Sequence, residues 1–404
     1  MGRLSGVAMR ARSIDEPHRV STSLELFFDL CFVVGVAQAA NGLHHALTQG
    51  HAEHAVVGYA SVFFAVWWAW MNFTWFASAY DADDVLYRVT TFVQITGVLI
   101  LAAGVPRAFD HADFAVVTLG YVVMRVALVG HWLRAAANDP AGRRTALRFA
   151  LGVSGCMVGW GLLLLVPSSL HGAGFAVMVL AELAVPLWAE MAGRTAWHPH
   201  HIAERYGLFT LIVLGESVFA ATLAIQSALD QSTTAKADLL DLLIGAPLVV
   251  FGMWWIYFAK PAAAFLVRGN RIGFLWGYGH IAVFASAAAV GAGLAVGVDR
   301  STHHGRLSSA GAAAAVTVPI AAYVVTVWAL HLRPHHLRAR QTVAALATAA
   351  VVLASTFTRV PVVISGLALA AMVAFGLLSE STAQGVVGQF QTDPLPHRES
   401  SHHP

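Results

Sequence analysis

The sequence predicts an all-α polytopic membrane protein with about twelve transmembrane helices, and three observations support this fold class. First, the chain of 404 residues is 57% hydrophobic and only 11% charged, with a mean hydropathy of +0.65. A soluble domain carries about 25% charged residues, so this composition cannot cover a water-exposed surface. Second, apolar runs of roughly 20 residues, long enough to cross the hydrocarbon core, recur along the chain. Third, basic residues alternate between the loops as the positive-inside rule requires.

The apolar runs predict twelve spanning helices in chain order. The last two are separated only by a short turn around Thr358–Arg359. The predicted spans lie near residues 24–42, 55–76, 87–105, 113–133, 146–166, 173–192, 203–226, 239–259, 272–297, 309–330, 342–357 and 360–378.

The distribution of Lys and Arg predicts the orientation of these spans. With the N-terminus inside, 18 basic residues fall in cytoplasmic segments and five in outer loops, while Arg125 lies within a span. The first 20 residues are polar and basic and contain no apolar h-region, so no cleavable signal peptide is predicted. We therefore expect both termini to be cytoplasmic.

An internal duplication is predicted from an offset of 187 residues, which aligns the first two spans with spans seven and eight without a gap. The offset places Asp29 on Glu216 and Trp67–Trp68 on Trp254–Trp255. Six spans in each half give both halves the same orientation, as in transporters built from parallel repeats. The expected organisation is a cytoplasmic N-terminal tail over residues 1–20, six-helix repeats over 21–192 and 193–380, and a disordered cytoplasmic C-terminal tail over 381–404.

Ionisable residues inside the predicted spans are the candidates for function, because charge is costly in hydrocarbon. Glu25 and Asp29 lie one helical turn apart at the start of the first span, and Arg125 lies in the middle of the fourth. The complete candidate set for transport or for an intramembrane charge network is Glu25, Asp29, Arg125, Glu182, Glu204, Arg205, Glu216 and His280.

Two interpretations of these charges stay open. In the first, Arg125 and one or two carboxylates form a structural ion pair, since removing one partner of a buried pair is costly. In the second, the acids and His280 line a path for protons or cations, and the recurrence of an acid at Asp29 and Glu216 favours this role for both. In either case Arg125 stays charged, so we expect an acid from span one, six or seven to reach it, with Glu182 and Glu216 the leading candidates.

Other patterns favour no catalytic chemistry. The sequence contains no phosphate-binding glycine loop, no HExxH and no GxSxG motif. Cys31 and Cys156 lie in apolar runs, which argues against a disulfide framework or a zinc ribbon. The aromatic run FFAVWWAWMNFTWF fits packing or an interfacial belt better than a stacking surface for an organic cation. We therefore predict no enzyme activity, no cofactor and no metal site.

Two stretches of the chain resemble the hallmark motifs of the bacterial low temperature requirement protein A family. They are ELFFDLCFVVGVAQ at Glu25–Gln38 and HIAERYGLFTLIVLGES at His201–Ser217, and the resemblance extends over roughly residues 20–380. It implies a multi-pass protein of the bacterial inner (plasma) membrane linked to growth in the cold, and it implies no reaction. The positions that match the family motifs are Glu25, Phe28, Asp29, Gln38, His201, Glu204, Arg205, Gly215, Glu216 and Ser217.

The predicted function is a secondary transporter or channel for protons, cations or a small solute, with Asp29 and Glu216 as the groups that handle charge. The alternative is a non-transporting membrane sensor or structural protein that supports growth in the cold. The expected partners are the lipid bilayer and an unknown small solute or ion, and no nucleic acid, since the net charge is only +2. The sequence leaves open whether the chain forms a homo-oligomer.

Overall fold

The structure, a computed structural model, describes residues 9–12, 20–80, 82–230, 236–267, 269–301, 306–335 and 339–391. Within these ranges the chain is almost entirely helical, with an isolated antiparallel bridge between Ala11 and Tyr80. The twelve long helices are α1 (Ser23–Thr48), α2 (Ala52–Ala79), α3 (Val85–His111), α4 (Ala115–Asn138), α5 (Arg143–Leu163), α6 (His171–Glu190), α7 (Pro199–Asp230), α8 (Lys236–Phe258), α9 (Asn270–Ser301), α10 (Ser309–Val327), α11 (Ala339–Ser355) and α12 (Pro361–Gln391).

Eleven of the described helices are long and apolar enough to cross a membrane. The remaining one, α11, is apolar but has only 17 residues. Pro361 begins α12 and separates it from α11, in keeping with the preference of proline for the first helical position. A short helix, Ala263–Leu266, follows α8, and α10 continues as a π-helical stretch, Trp328–Leu332. The predicted fold class, an all-α polytopic membrane protein, is confirmed.

Alternation of helix direction gives the bundle two faces. We call the face at which α1 begins the N-side and the opposite face the far side. On the N-side, the backbone N–H of Arg12 donates to the carbonyl of Ala79 at the end of α2, at 3.0 Å. On the far side, the backbone N–H of Arg306 donates to the carbonyl of Thr48 at 2.9 Å, which joins the α9–α10 loop to the end of α1.

The two halves of the chain repeat the same order of helix contacts. In the first half α1 packs on α2 and α3, and α3, α4, α5 and α6 pack in succession. In the second half α7 packs on α8 and α9, and α9, α10, α11 and α12 pack in succession. The halves meet where α1 and α2 contact α7 and α9. The packing of α8 on α12 has no equally extensive counterpart between α2 and α6 among the contacts of the first half, and both the duplication and the rotation that would relate the halves stay predictions.

Helix α2 is the most enclosed of the candidate membrane spans, with 72% of the residues in its apolar 18-residue stretch buried. Trp67, Trp68 and Trp70 on this helix are at most 1% exposed. The aromatic run of α2 therefore packs inside the bundle and forms no interfacial belt. Trp254 and Trp255, the predicted repeat counterparts on α8, are 45% and 44% exposed, so the equivalent positions of the two halves lie in different surroundings.

Helix α12 extends beyond the predicted end of the second repeat at residue 380. It continues to Gln391, into the segment expected to form the C-terminal tail. Proline is the strongest helix breaker, and after Pro361 none occurs until Pro394, so nothing in this stretch stops the helix. Of the predicted tails, residues 1–8, 13–19 and 392–404 lie outside the described residues.

Candidate functional site

The start of α1 explains why a membrane helix begins with an acid at Glu25. Thr22 is the N-cap, and its hydroxyl accepts a hydrogen bond from the backbone N–H of Glu25 at 3.2 Å. In return, Oε2 of Glu25 accepts from the backbone N–H of Thr22 at 2.8 Å. This capping box satisfies two N–H groups that a helix end leaves without an intrahelical acceptor.

The other oxygen of Glu25 and the whole carboxylate of Asp29 contact Arg205 of α7. Oε1 of Glu25 lies 3.2 Å from Nη1 of Arg205 and 3.1 Å from Nε2 of His201. Nε of Arg205 donates to Oδ2 of Asp29 at 3.0 Å, and Nη2 donates to Oδ1 at 2.5 Å. Each nitrogen of the Arg205 guanidinium therefore has a carboxylate oxygen within reach.

A neighbouring helix completes this arrangement. Trp70 of α2 donates its indole N–H to Oδ1 of Asp29 at 2.6 Å, and Nη2 of Arg205 lies 3.4 Å from the hydroxyl of Thr74. Asp29 and Arg205 are fully buried. Because both carboxylates pair with Arg205 and Trp70 bonds to one of them, the group is an ion-pair network that joins α1, α2 and α7. We call this group the N-side cluster; it consists of Glu25, Asp29, Trp70, His201 and Arg205.

A second buried ion pair lies near mid-membrane, where Nη2 of Arg125 in α4 lies 3.2 Å from Oε2 of Glu182 in α6. Both side chains are 1% exposed. The prediction that an acid from span one, six or seven reaches Arg125 is confirmed, with Glu182 as that acid. Nη2 of Arg125 also donates to the hydroxyl of Tyr121, one turn away on the same helix.

Glu182 is held by three further donors. The Tyr121 hydroxyl donates to Oε1 at 2.7 Å and the Trp160 indole N–H donates to the same oxygen at 3.1 Å. The Trp68 indole N–H donates to Oε2 at 2.8 Å. With Arg125 this makes four donors, which matches the roughly four lone-pair sites of a carboxylate. We call this group the mid-membrane cluster; it consists of Trp68, Tyr121, Arg125, Trp160 and Glu182.

Helix α2 connects the two clusters. Trp68 donates to Glu182 and Trp70 donates to Asp29, although the two residues are only two positions apart. Two positions correspond to about 200° around an α-helix, so the indoles leave α2 on nearly opposite sides. The aromatic run of α2 therefore supplies one hydrogen bond to a buried carboxylate in each cluster.

His280 belongs to neither cluster. Its Nδ1 lies 2.7 Å from the carbonyl oxygen of Trp276, and its Nε2 lies 3.1 Å from the Tyr257 hydroxyl and 3.0 Å from Nε2 of His331. A carbonyl can only accept, so Nδ1 of His280 carries the hydrogen. His280 is thus part of a buried histidine–tyrosine contact, apart from the carboxylates with which the sequence grouped it.

The two remaining candidate acids lie on α7. Oε1 of the half-buried Glu204 accepts from the backbone N–H of Ser21 at 3.4 Å. Glu216 is also half-buried, and it makes no hydrogen bond or ion pair with another residue that the structure describes. Asp29, its predicted repeat counterpart, is fully buried and paired. Neither Asp29 nor Glu216 lines either of the two far-side cavities described next. These cavities therefore do not provide a shared polar cavity for the two acids.

A cavity of about 520 Å³, which we call the aromatic cavity, opens on the far side between α2, α4, α5 and α6. Asp113 of the α3–α4 loop and His171 at the start of α6 line it, together with Tyr121 and Trp160. This volume falls in the range of small-molecule sites. The other apolar side chains of its wall are Val57, Phe64, Ala65, Ala112, Phe114, Ala115, Val117, Leu163, Leu164 and Phe175, and Ser61 and Thr118 add two hydroxyls.

A second far-side cavity, which we call the polar vestibule, has a volume of about 1050 Å³ and lies between α1, α2 and α3. Val57 lines both cavities, so the start of α2 separates them. Among the described residues no group of three or more His, Cys, Asp or Glu side chains is arranged to hold a metal ion. The polar side chains of the vestibule are Gln38, Asn41, His45, Gln49, His51, Glu53, His54 and Asp110.

Tyr121 and Trp160 are absent from the set of residues predicted from the sequence. Both side chains are uncharged, so they lack the high free-energy cost of burial in a membrane that makes an ionisable residue stand out in a sequence. One signal was available for Tyr121, because residues four apart lie on the same helix face and Tyr121 precedes Arg125 by four. No comparable spacing connects Trp160 with Glu182, which lies on the next helix.

The fold and these clusters define a class of protein: a polytopic, all-helical membrane protein with two buried arginine–carboxylate clusters. The family profile of bacterial low temperature requirement A protein (LtrA) matches residues 20–377, and the chain belongs to this family. The resemblance found in the two sequence motifs is thereby confirmed. An uncharacterized protein of Rhizobium meliloti (strain 1021) is 27% identical over 297 residues, which cover 69% of each chain.

Proposed function

We propose that this protein is a secondary transporter or channel for a small solute or ion, and that the aromatic cavity is its far-side entrance. The observation that carries the proposal is the wall of this cavity. Tyr121 and Trp160 form part of it, and both donate a hydrogen bond to the buried carboxylate of Glu182. A solute in the cavity would therefore contact the side chains that hold the mid-membrane ion pair, at the depth where transporters place their sites.

In this proposal the N-side faces the cytoplasm of a bacterial inner membrane, as the basic loops indicate, and the aromatic cavity opens outward. The protein acts on its solute without chemical conversion. In the apolar 18-residue stretches of α5 and α6, only 28% and 22% of the residues are buried inside the bundle. The outer faces of these two helices are therefore available to lipid or to a second copy of the chain.

The buried acids take different roles in this proposal. Asp29 is fully paired with Arg205 and holds α1 against α7, so it serves the scaffold. Glu216 has no partner among the described residues, and it is the acid of the second half that we propose to take up a proton or a cation. Glu182 lies behind the wall of the cavity and couples the solute to Arg125.

A flux assay with a matched pair of variants tests the proposal. Purified protein in liposomes is supplied with a panel of labelled solutes, with and without a pH gradient. Ala65 lines the cavity, so Ala65→Phe fills it while both ion pairs stay intact. Ala60 is exposed on the same helix and lies outside the cavity lining, so Ala60→Phe is the control. We expect Ala65→Phe to lose uptake and Ala60→Phe to keep it.

A second candidate function, a non-transporting structural membrane protein, is favoured by the ion pairs of Arg205 with two carboxylates in the N-side cluster. A network in which all charges are matched holds helices together without needing a ligand. In that case no solute of the panel moves, and Ala65→Phe and Ala60→Phe behave alike.

A further inference from the structure

The mid-membrane cluster is short of hydrogen-bond acceptors. Only Nη2 of Arg125 has partners, which are Tyr121 and Glu182. Nε and Nη1 are buried, and neither atom makes a hydrogen bond with any residue that the structure describes. An unpaired buried N–H carries the full cost of its desolvation, and such groups in a native structure call for an explanation.

Glu182 cannot supply the missing acceptor. Its oxygens already receive hydrogen bonds from Trp68, Tyr121, Trp160 and Arg125. For the same reason it has no lone pair left for an incoming cation. The cluster therefore has spare donors on a cation and no spare acceptor on its anion. This imbalance selects a ligand that brings oxygen acceptors, and it selects against an ammonium ligand.

From this geometry we propose that the aromatic cavity binds a small organic acid, with the ligand carboxylate reaching Arg125 and one proton bound together with the ligand. The inference names the substrate class of the proposed transporter, so its transport part rests on the proposed function, while the binding part does not. A carboxylate suits this place because guanidinium–carboxylate hydrogen bonds are among the strongest in proteins.

The wall of the cavity fits the apolar body of such an acid. The rings of Trp160 and Phe175 contact edge to face with centroids 5.2 Å apart, and Phe64 packs on Phe175 at 6.3 Å. These three rings and Tyr121 line the cavity. A benzene ring or a short alkyl chain would be buried among them.

Tyr121 controls access to Arg125. Arg125 is not itself part of the cavity lining, and its Cζ lies 4.6 Å from the centroid of the Tyr121 ring, which is part of it. Tyr121 therefore separates the cavity from the guanidinium. Rotation of this one side chain would open the path and free one position on Glu182, which ties ligand entry to a rearrangement of the ion pair.

Charge balance requires the proton. Two carboxylates and one guanidinium would leave a net negative charge in a medium of low dielectric constant, so one of the two carboxylates binds a proton. The titratable groups that face Glu182 are Tyr121 and Arg125 of α4 and Cys156 of α5, while α2 contributes only the neutral Trp68. Arg125 keeps its proton, so the pair of carboxylates takes the extra one.

Binding to the detergent-purified full chain tests the inference with three probes of one shape. Phenylacetate, phenylacetamide and 2-phenylethylamine differ in the charge of the polar end. Calorimetry in buffers of different ionisation enthalpy reports the number of protons taken up. We expect phenylacetate to bind at least about tenfold more tightly than the amide, with about one proton taken up, and the amine not to bind.

Variants separate binding at Arg125 from simple apolar adsorption. Arg125→Lys keeps one positive charge beside Glu182 but removes the planar set of donors, so we expect phenylacetate affinity to fall at least about tenfold with little change in the unfolding midpoint. Ala65→Phe should abolish binding and Ala60→Phe should not.

Equal binding of the three probes, no binding of any, or unchanged affinity in Arg125→Lys overturns the inference. Phenylacetate binding without uptake into liposomes contradicts transport alone, and uptake restricted to amines contradicts the organic-acid inference alone.

Discussion

The two buried arginines of this protein differ in how completely they are paired. Arg205 meets two carboxylates with all three nitrogens, whereas Arg125 meets one carboxylate with one nitrogen. Arg205 lies away from the far-side cavities, and Tyr121 and Trp160, which hold the partner of Arg125, line one of them. A guanidinium with a carboxylate oxygen beside each nitrogen leaves no room for a ligand carboxylate. A guanidinium with one carboxylate neighbour, next to a cavity, does leave room, so in our proposal Arg205 serves the scaffold and Arg125 serves the function.

The largest expected effect is on stability and comes from Arg205→Gln. The change leaves Asp29 and Glu25 buried close together without their cation, and an uncompensated buried charge costs roughly 3–5 kcal/mol. We expect the amount of folded protein in the membrane to collapse, measured by fluorescence-detected size-exclusion chromatography. Adding Asp29→Asn to Arg205→Gln removes one stranded charge and should restore part of the yield. A normal yield of the single variant would refute the scaffold role.

An intermediate effect is expected from the two tryptophans that α2 supplies to the clusters. Trp70→Phe removes one hydrogen bond to Asp29, and Trp68→Phe removes one to Glu182. Hydrogen bonds to charged groups contribute about 1.5–3 kcal/mol, so both variants should unfold at lower temperature than the wild type. Only Trp68→Phe should also change solute uptake. If Trp70→Phe impairs uptake as strongly at equal yield, the division between the clusters is wrong.

The smallest effect on stability is expected from Glu216→Gln. Glu216 is half-buried and has no partner in the described part of the chain, so the substitution strands no cation and should change the unfolding free energy by about 0.5 kcal/mol or less. If Glu216 takes up a proton or cation during transport, uptake in proteoliposomes should nevertheless lose its dependence on a pH gradient. Uptake that responds to the gradient as in the wild type would remove Glu216 from the proposed mechanism.

The membrane class and the need for an acid beside Arg125 could be predicted from the sequence, for a physical reason in each case. A chain with so few charges cannot face water, and a guanidinium cannot shed its proton in a bilayer. Which acid pairs with Arg125 could not be predicted, because Glu182 and Glu216 lie at similar depth along their helices. The choice depends on α4 and α6 facing each other across α5, and helix periodicity alone does not fix that.

The predicted equivalence of Asp29 and Glu216 shows where a repeat argument ends. A repeat can place two residues at matching positions on matching helices, but it does not determine what packs against them. Helix α2 lies inside the bundle and brings Trp70 to Asp29, whereas α8 packs on α12 and turns Trp254 and Trp255 outward. Tyr121 and Trp160 could not be predicted from the sequence for another reason. They are uncharged, so burying them in a membrane costs little free energy and gives no signal, although they shape the candidate site.

The same substitution at both arginines tests the central claim most directly. Lysine supplies one compact charge with three donors but no planar fork, so it cannot reproduce the contacts of Arg205 with both oxygens of Asp29 and with Glu25. Unfolding midpoints and phenylacetate binding are measured for Arg125→Lys and Arg205→Lys. The account predicts that Arg205→Lys loses roughly 3 kcal/mol of stability and that any folded fraction still binds phenylacetate, while Arg125→Lys stays within about 1 kcal/mol of the wild type and does not bind. Two variants with the same loss of stability and the same affinity would contradict the account.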